Sequence, residues 1–302
     1  MKKKIIMYFP LEDESTPLIE PYQEKINARE KQEFFLQSFP PSVDIFIARW
    51  EKSHIRDNIF RAQFQKQWNI WIPFSQSIEA DLVLWFQIPK EVNRIFNSLK
   101  SLTIDKTMIE DIFPQYTLKS TICKNYQDIQ KYFSKSITEL KVLKPQNGTR
   151  SKGIFIEKNI PNEAYFKKDY FPYLLQDFFD TSWWFYEFPG MHDFRIVMLN
   201  GEIIWKFLRQ PEAWKYTANS FKKWWFIDLE DWKIPREIQK IIEVVEYYCA
   251  QRYKHRYYSI DFGRGKNGEI KIFEMNSAPG LTNERLSGKL ADYICKNILK
   301  VS

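Results

Sequence analysis

The chain has 302 residues, 44% of them hydrophobic, with 11 Trp, 16 Tyr and 25 Phe. That is enough apolar material for one large domain or two to three small ones. The formal net charge of +7 favours anionic partners, whether nucleotide, acidic peptide or nucleic acid, without selecting one.

Cysteines at 123, 249 and 295 and histidines at 54, 192 and 255 offer neither zinc-ligand spacing nor a disulfide framework. A reducing cytoplasm is the expected location. The start MKKKIIMYFP carries an apolar run too short for a secretory signal, and no later stretch is long enough to span a membrane.

Residues 1–100 alternate short apolar runs (KIIMYF, VDIFIARW, ADLVLWFQI) with helix-compatible segments, EKINAREKQEFFLQSF and PKEVNRIFNSL. The alternation predicts a small α/β layer. No glycine-rich turn follows these strands, so a free-standing dinucleotide site is not expected. Residues 54–75 are read as loops.

Residues 101–178 give a short helix (IDKTMIEDIF), a strand (YTLKST), a helix (NYQDIQKYFSKSI), and two strands, KVLKP and KGIFIEK, around the loop QNGTRS. In that loop Gly148 allows a flexible turn, Arg150 and Lys152 are cationic, and Gly153 permits close backbone approach. Lys144 ends the preceding strand. Cations with flexible backbone N–H groups suit a cover over phosphates, although a solvated basic loop has the same composition. The P-loop pattern is absent. Residues 179–302 are mostly hairpins, with a helix near 235–252 opened by Pro235 and a second near 284–299.

Two hairpins carry the chemistry. In SIDFGRGKNGEIKIFEMNSAPGL, residues 259–281, Asn267-Gly268 is a strong two-residue turn signal. It sets Asp261 opposite Glu274 and Ser259 opposite Asn276. Alternation then puts Asp261, Glu274 and Asn276 on one face and Ile260, Phe262, Phe273 and Met275 on the other. Two carboxylates facing each other about 5 Å apart repel. Either they point to solvent on a surface hairpin, or a cation sits between them. Oxygen-only donors suit Mg2+, with nucleotide phosphates completing its shell.

The second hairpin, DFRIVMLNGEIIWKFLR, turns at Asn200-Gly201. It places Asp193, Arg195 and Lys206 on one face, and Phe194, Ile196, Met198, Ile203, Trp205 and Phe207 on the other. The charged face reads as solvated sheet or, beside a Mg-nucleotide site, as a contact for ribose, phosphate or an acidic substrate group.

These elements, in this order, resemble the ATP-grasp superfamily over about residues 101–285. The branches most similar are the ribosomal-protein glutamate ligases and peptide-modifying carboxylate–amine ligases, with an echo of D-alanine–D-alanine ligase in MNSAPGLT. The pattern that carries it is an Asp, a hairpin and E-x-N-x-x-P-G: Asp261, then Glu274, Asn276, Pro279 and Gly280.

The resemblance implies an α/β (α+β) fold in which a small N-terminal α/β layer (1–100) precedes two α+β subdomains (101–178 and 179–302) that sandwich ATP. It implies Mg2+, one or two ions with Mn2+ as substitute, held by Asp261, Glu274 and Asn276. Lys106 and Lys144 would contact phosphates or adenine, beneath a lid carrying Gly148, Arg150 and Lys152. Gln176, Asp177, Phe178 and Phe179 would form the adenine-reading hinge, and Asp193 would accept the ribose hydroxyls. Arg195 and Arg209 would face the acyl phosphate or an acidic acceptor group, with a late contact from Asn219. Arg209 falls on the apolar face of the ideal hairpin and needs a bulge to reach the site.

The activity implied is ATP-dependent ligation of a small-molecule or peptide carboxylate to an amine or hydroxyl through an acyl phosphate, and related enzymes imply a homodimer. The rival readings are a kinase using the same site and a nucleotide-dependent binding module. A nucleic-acid contact through KYTANSFKKWWF (215–226) is the weaker account, because solvated lysines beside an apolar lip give the same pattern. In SWWFYEF (182–188), Trp183 and Trp184 read first as packing and second as a wall for a peptide-like substrate.

Overall fold

In the computed structural model the run KKIIMYF is strand β1 (Lys3–Phe9), an interior strand of a five-stranded sheet. The structure describes residues 2–9, 35–49, 51–67, 70–84, 106–133, 139–146, 153–182, 190–211, 225–276 and 284–301. Cα proximity divides the chain into two units: Met1–Ser101 with Pro279–Ser302, and Leu102–Ala278.

In the first unit β1 is followed by β2 (Val43–Arg49), β3 (His54–Arg56), β4 (Ile59–Arg61), β5 (Phe64–Gln67), β6 (Ile70–Pro73), β7 (Ser77–Glu79) and β8 (Leu82–Leu84). The larger sheet runs β6-β5-β2-β1-β8 and the smaller β3-β4-β7. The three apolar runs read from the sequence are β2, β1 and β8, paired in parallel. Ile5, Ile6, Met7 and Tyr8 are buried in succession, as expected of a parallel strand covered on both faces.

Residues 54–75, expected as loops, instead supply strands β3 to β6. Short alternating segments such as Ile59–Arg61 hide one side chain, Phe60, and expose the next, Arg61, so pairing rather than hydrophobicity defines them. Of the two predicted helices, only Phe35–Gln37 at the end of the first is described as helical; residues 89–99 lie outside the described residues.

The second unit holds the remaining strands in two antiparallel sheets. Its first part comprises α1 (Lys106–Ile112), β9 (Ser120–Cys123), α2 (Tyr126–Phe133), β10 (Lys141–Pro145), β11 (Phe155–Glu157) and β12 (Tyr173–Asp177), with sheet order β11-β10-β12-β9. α2 starts where Asn125 Oδ1 accepts from the Asp128 amide at 2.9 Å while Asp128 Oδ2 accepts from the Lys124 amide at 2.8 Å. This is a reciprocal N-terminal cap. Ile129 and Phe133, one turn apart, then join Cys123, Leu143, Tyr173 and Leu175 in a core.

The second part comprises β13 (Asp193–Leu199), β14 (Glu202–Gln210), β15 (Trp225–Asp228), α3 (Arg236–Ala250), β16 (Tyr257–Arg264) and β17 (Ile270–Asn276), with sheet order β15-β14-β13-β16-β17. α3 follows Pro235 without a side-chain cap, and buries Ile238, Ile241, Ile242, Val245 and Cys249 along one face. Each such side chain contributes about 1.5–3 kcal/mol on burial, more than the roughly 1 kcal/mol a cap supplies. Glu246 ties α3 to β16, accepting from Arg256 Nε at 2.9 Å and from the Tyr258 hydroxyl at 2.6 Å.

The two sheets meet beside β17. The Ile272 amide donates to the Tyr116 carbonyl at 2.6 Å, and Thr117 forms a parallel bridge with Ile272. That bridge fixes one edge of the candidate site. The segment leading to β9, expected as a strand from Tyr116, contributes only this bridge before pairing begins at Ser120. The chain closes with α4 (Glu284–Tyr293) and a π-helical turn, Ile294–Leu299, in the first unit. No helix among the described residues is long and apolar enough to cross a membrane.

Candidate active site

Asp261 does face Glu274, and Ser259 faces Asn276, but not through an ideal two-residue turn. The last pair of the hairpin is Arg264 with Ile270, and Gly265 closes the loop by donating to the Glu269 carbonyl at 2.9 Å. This longer loop shifts the register by one. A bulge beyond Phe262 shifts it back, so the two offsets cancel at the carboxylates.

Phe273 is the extra residue, and this corrects its expected face. Ile272 and Met275 are buried at 2% and 4% exposure, while Phe273 turns toward Gly263. A Cβ at Gly263 would lie 2.2 Å from Phe273 Cζ and 2.8 Å from Thr181 Cγ2. The ring also meets Phe179 edge-on, with centroids 5.8 Å apart.

In the second hairpin, Asn200 (φ 49°) and Gly201 (φ 93°) form the expected turn, with both residues in the left-handed region. Leu199 pairs with Glu202, then a bulge at Ile204 shifts the register between Met198 and Val197. From there Arg209 stands opposite Asp193. Lys206, expected beside Arg195, moves to the other face, where its ammonium donates to the Trp232 carbonyl. By alternation Trp205 and Phe207 share the face of Arg209, and their rings stack with centroids 4.1 Å apart.

With Arg209 brought over by the Ile204 bulge, four charged side chains meet. Arg195 donates Nε and Nη2 to the two oxygens of Asp261, each at 2.5 Å. Arg209 donates Nε and Nη2 to Asp193 at 2.5 and 2.7 Å, and Nη2 also to Asp261 at 2.6 Å. Asp261 is 1% exposed. Burial alone would raise its pKa, but the Arg195 and Arg209 charges outweigh it and hold the carboxyl below its usual value.

At Asp193 the balance tips the other way. Burial lifts its pKa, Arg209 offsets only part of that, and the Asp261 charge adds to it. Arg209 stays firmly protonated: burial opposes its charge, but Asp193, Asp261 and, more weakly, Glu274 outweigh burial. Tyr257, on the same face of β16, is raised by burial against the pull of Arg195.

The cation beside Asp261 in this structure is therefore guanidinium. The donor set still fits a hard divalent ion. Two carboxylates and a carboxamide share one ladder, which is the protein share usual for Mg2+. Moreover, Asn276 Nδ2 and Ser259 Oγ are buried without a hydrogen-bond partner, so the site is not complete by itself. No group of three or more His, Cys, Asp or Glu suited to a metal occurs among the described residues. Further ligands would have to come from bound phosphates or water.

The expected nucleotide contacts divide. Lys144 and Gln176 line a small crevice, partly open to solvent, with Thr117, Leu118, Ile272 and Phe273. Gln176 Nε2 donates to the Ser120 hydroxyl at 2.8 Å and the Leu118 carbonyl at 3.1 Å. Asp177 points away, 78% exposed, and pairs with Lys141. The Phe178 amide is taken by the Leu140 carbonyl at 3.1 Å. Asp193, expected to accept ribose hydroxyls, gives both oxygens to Arg209 here.

Lys106 is the first residue of α1, and its side chain lies outside the description. Gly148, Arg150, Lys152, Trp183, Trp184, Asn219, Pro279 and Gly280 lie outside the described residues. Gly263 and Phe273 were missed as site residues. A glycine two positions after Asp261 was a usable signal, since a glycine inside a strand marks close approach by another group.

No family model matches the chain, and no curated protein matches it. Solved structures do. The ATP-grasp ligase PsnB, complexed with a phosphomimetic variant of its minimal precursor, Mg and ADP, superposes with a TM-score of 0.54 at 12% identity, covering 97% of each chain. The VanG D-Ala:D-Ser ligase from Enterococcus faecalis gives 0.60 at 14% identity, covering 96% of this chain and 95% of its own. The D-alanine–D-alanine ligase from Bacillus anthracis complexed with ATP gives 0.59 at 12% identity, covering 99% and 98%. At such identities the likeness speaks for architecture alone, and it runs nearly the full length of both partners. The chain has the ATP-grasp fold.

Proposed function

We propose that the chain is an ATP-dependent ligase that activates a carboxylate as an acyl phosphate and transfers the acyl group to an amine or hydroxyl. The observation that carries this reading is the convergence of Arg195 and Arg209 on Asp261, opposite Glu274, on one sheet face. Phosphoryl transfer needs positioning and charge neutralisation more than a protein nucleophile, and this face supplies both.

In this reading Asp261, Glu274 and Asn276 hold Mg2+, which when bound would neutralise phosphate charge. A substrate carboxylate oxygen attacks the γ-phosphorus, the bond to the ADP oxygen breaks, and ADP leaves. The acceptor then attacks the acyl carbon and inorganic phosphate departs, with the acceptor's proton passing to solvent or phosphate. Arg209, aimed by Asp193, and Arg195 lie where the developing charge or an acidic substrate group would sit. Lys144 and Gln176 belong to the nucleotide side of the site.

The similarly folded ligase PsnB binds a minimal precursor, in keeping with a peptide-like carboxylate as the substrate class. Trp205, half-buried on the arginine face, offers such a substrate an apolar contact.

The test is trapping. The protein, Mg-ATP and hydroxylamine are incubated with fractions of cellular peptides and small molecules, and products are read by mass spectrometry against Glu274→Ala. A hydroxamate formed only by the wild type is the expected result. A phosphorylated product without hydroxamate assigns a kinase, and ATP binding without either product assigns a binding module.

A further inference from the structure

Across the ladder from Asn276 stands Ser259, fully buried at 0% exposure. The Ser259 hydroxyl and the Asn276 Nδ2 are both buried without a hydrogen-bond partner. An orphaned buried hydroxyl and an orphaned buried amide are each destabilising. Here one is an acceptor and the other a donor, on directly opposed residues of the same face. They lie one same-face step along the ladder from Asp261 and Glu274.

A carboxamide has two ends of opposite character, and a half-turn about its terminal bond exchanges them. Only the oxygen can serve a cation. An Asn among metal ligands therefore needs a neighbour that fixes which end points inward, as outer-shell partners do for ligating side chains.

We infer that Ser259 is a positioning residue for the metal site: its hydroxyl oxygen accepts the Asn276 Nδ2–H when the site is filled, turning Oδ1 toward the cation. The inference rests on the metal-site reading above. Ser259 touches neither substrate nor metal in this account. Its role is to remove the half-turned amide, which would present N–H groups to a cation.

The experiment measures Mn2+ binding to the full chain with saturating adenylyl imidodiphosphate, following free Mn2+ by electron paramagnetic resonance. Ser259→Ala weakens binding by about tenfold, the lower end for loss of an outer-shell partner. Asn276→Asp presents two equivalent oxygens and needs no orientation, so adding Ser259→Ala to that variant changes affinity by less than about twofold, within the scatter of independent sites.

Equal loss in both backgrounds, or no loss in either, overturns the inference. Circular dichroism melts of all four proteins separate a folding defect from a change in affinity. Glu274→Ala is the separate control: if it leaves Mn2+ binding intact, the metal-site reading itself falls, and the inference with it.

Discussion

Arg209 lies directly across the ladder from Asp193 and grips both of its carboxylate oxygens, at 2.5 and 2.7 Å. It does so because Ile204 is an extra residue in its strand. Without the bulge, the same arginine would project among Phe194, Ile196 and Met198 on the apolar face, all fully buried.

Removing this guanidinium leaves Asp193 without its partner and Asp261 with Arg195 alone. Breaking a buried pair on one side costs about 3–5 kcal/mol, so Arg209→Met should lower the free energy of urea unfolding by that order. The double variant Arg209→Met/Asp193→Asn should regain part of the loss, because the unpaired charge is gone. No regain would mean the arginine acts through packing.

Deleting Ile204 should be worse than losing the arginine. The deletion swings Lys206 onto the site face and drives the Arg209 charge into the apolar core, adding a buried unpaired cation to the broken pair. An unfolding midpoint below that of Arg209→Met is expected. A deletion variant as stable as the wild type would show that the bulge does not set the register.

Gly263 and Phe273 form a steric pair. An added methyl at Gly263 would lie 2.2 Å from the Phe273 ring and 2.8 Å from Thr181. Gly263→Ala should therefore cost about 1–3 kcal/mol, typical of overpacking. Phe273→Leu in the same chain should relieve most of it, and thermal melts of the two singles and the double give the coupling directly.

The cysteines predict an alkaline limit. Burial pushes the Cys249 thiol up to about 12, with a smaller push from Glu246, and lifts Cys123 and Cys295 to about 11, each from 9.0. A raised folded-state value favours the protonated form, so the contribution is complete below about pH 9 and is lost as pH rises through the folded values. Unfolding free energy should fall above that point, and less steeply in Cys249→Ala. At about pH 8 a thiol reagent should leave the folded chain unlabelled, since only the thiolate reacts, and label it in urea.

The sequence was most legible where local chemistry repeats at fixed spacing. Alternation around Asp261 and Glu274, the two Asn-Gly turn signals and the E-x-N-x-x-P-G pattern locate the two hairpins and point to the ATP-grasp fold. The apolar run of β1 was legible as a strand of a small α/β layer, while its parallel pairing with β2 and β8 came from the structure.

Which residues face the site was decided by tertiary structure. Strand alternation has a period of two, so a single inserted residue reverses every assignment beyond it. The bulge at Ile204 exchanged Lys206 for Arg209, and the bulge at Phe273 moved an aromatic ring from the core to the site. No local propensity marks either insertion. Each persists because the folded sheet buries Leu208 or Met275 on its core face and offers an opposing charge or a glycine gap on the other. The chain encodes the chemistry in its residue types, and packing across the sheet selects which of them meet.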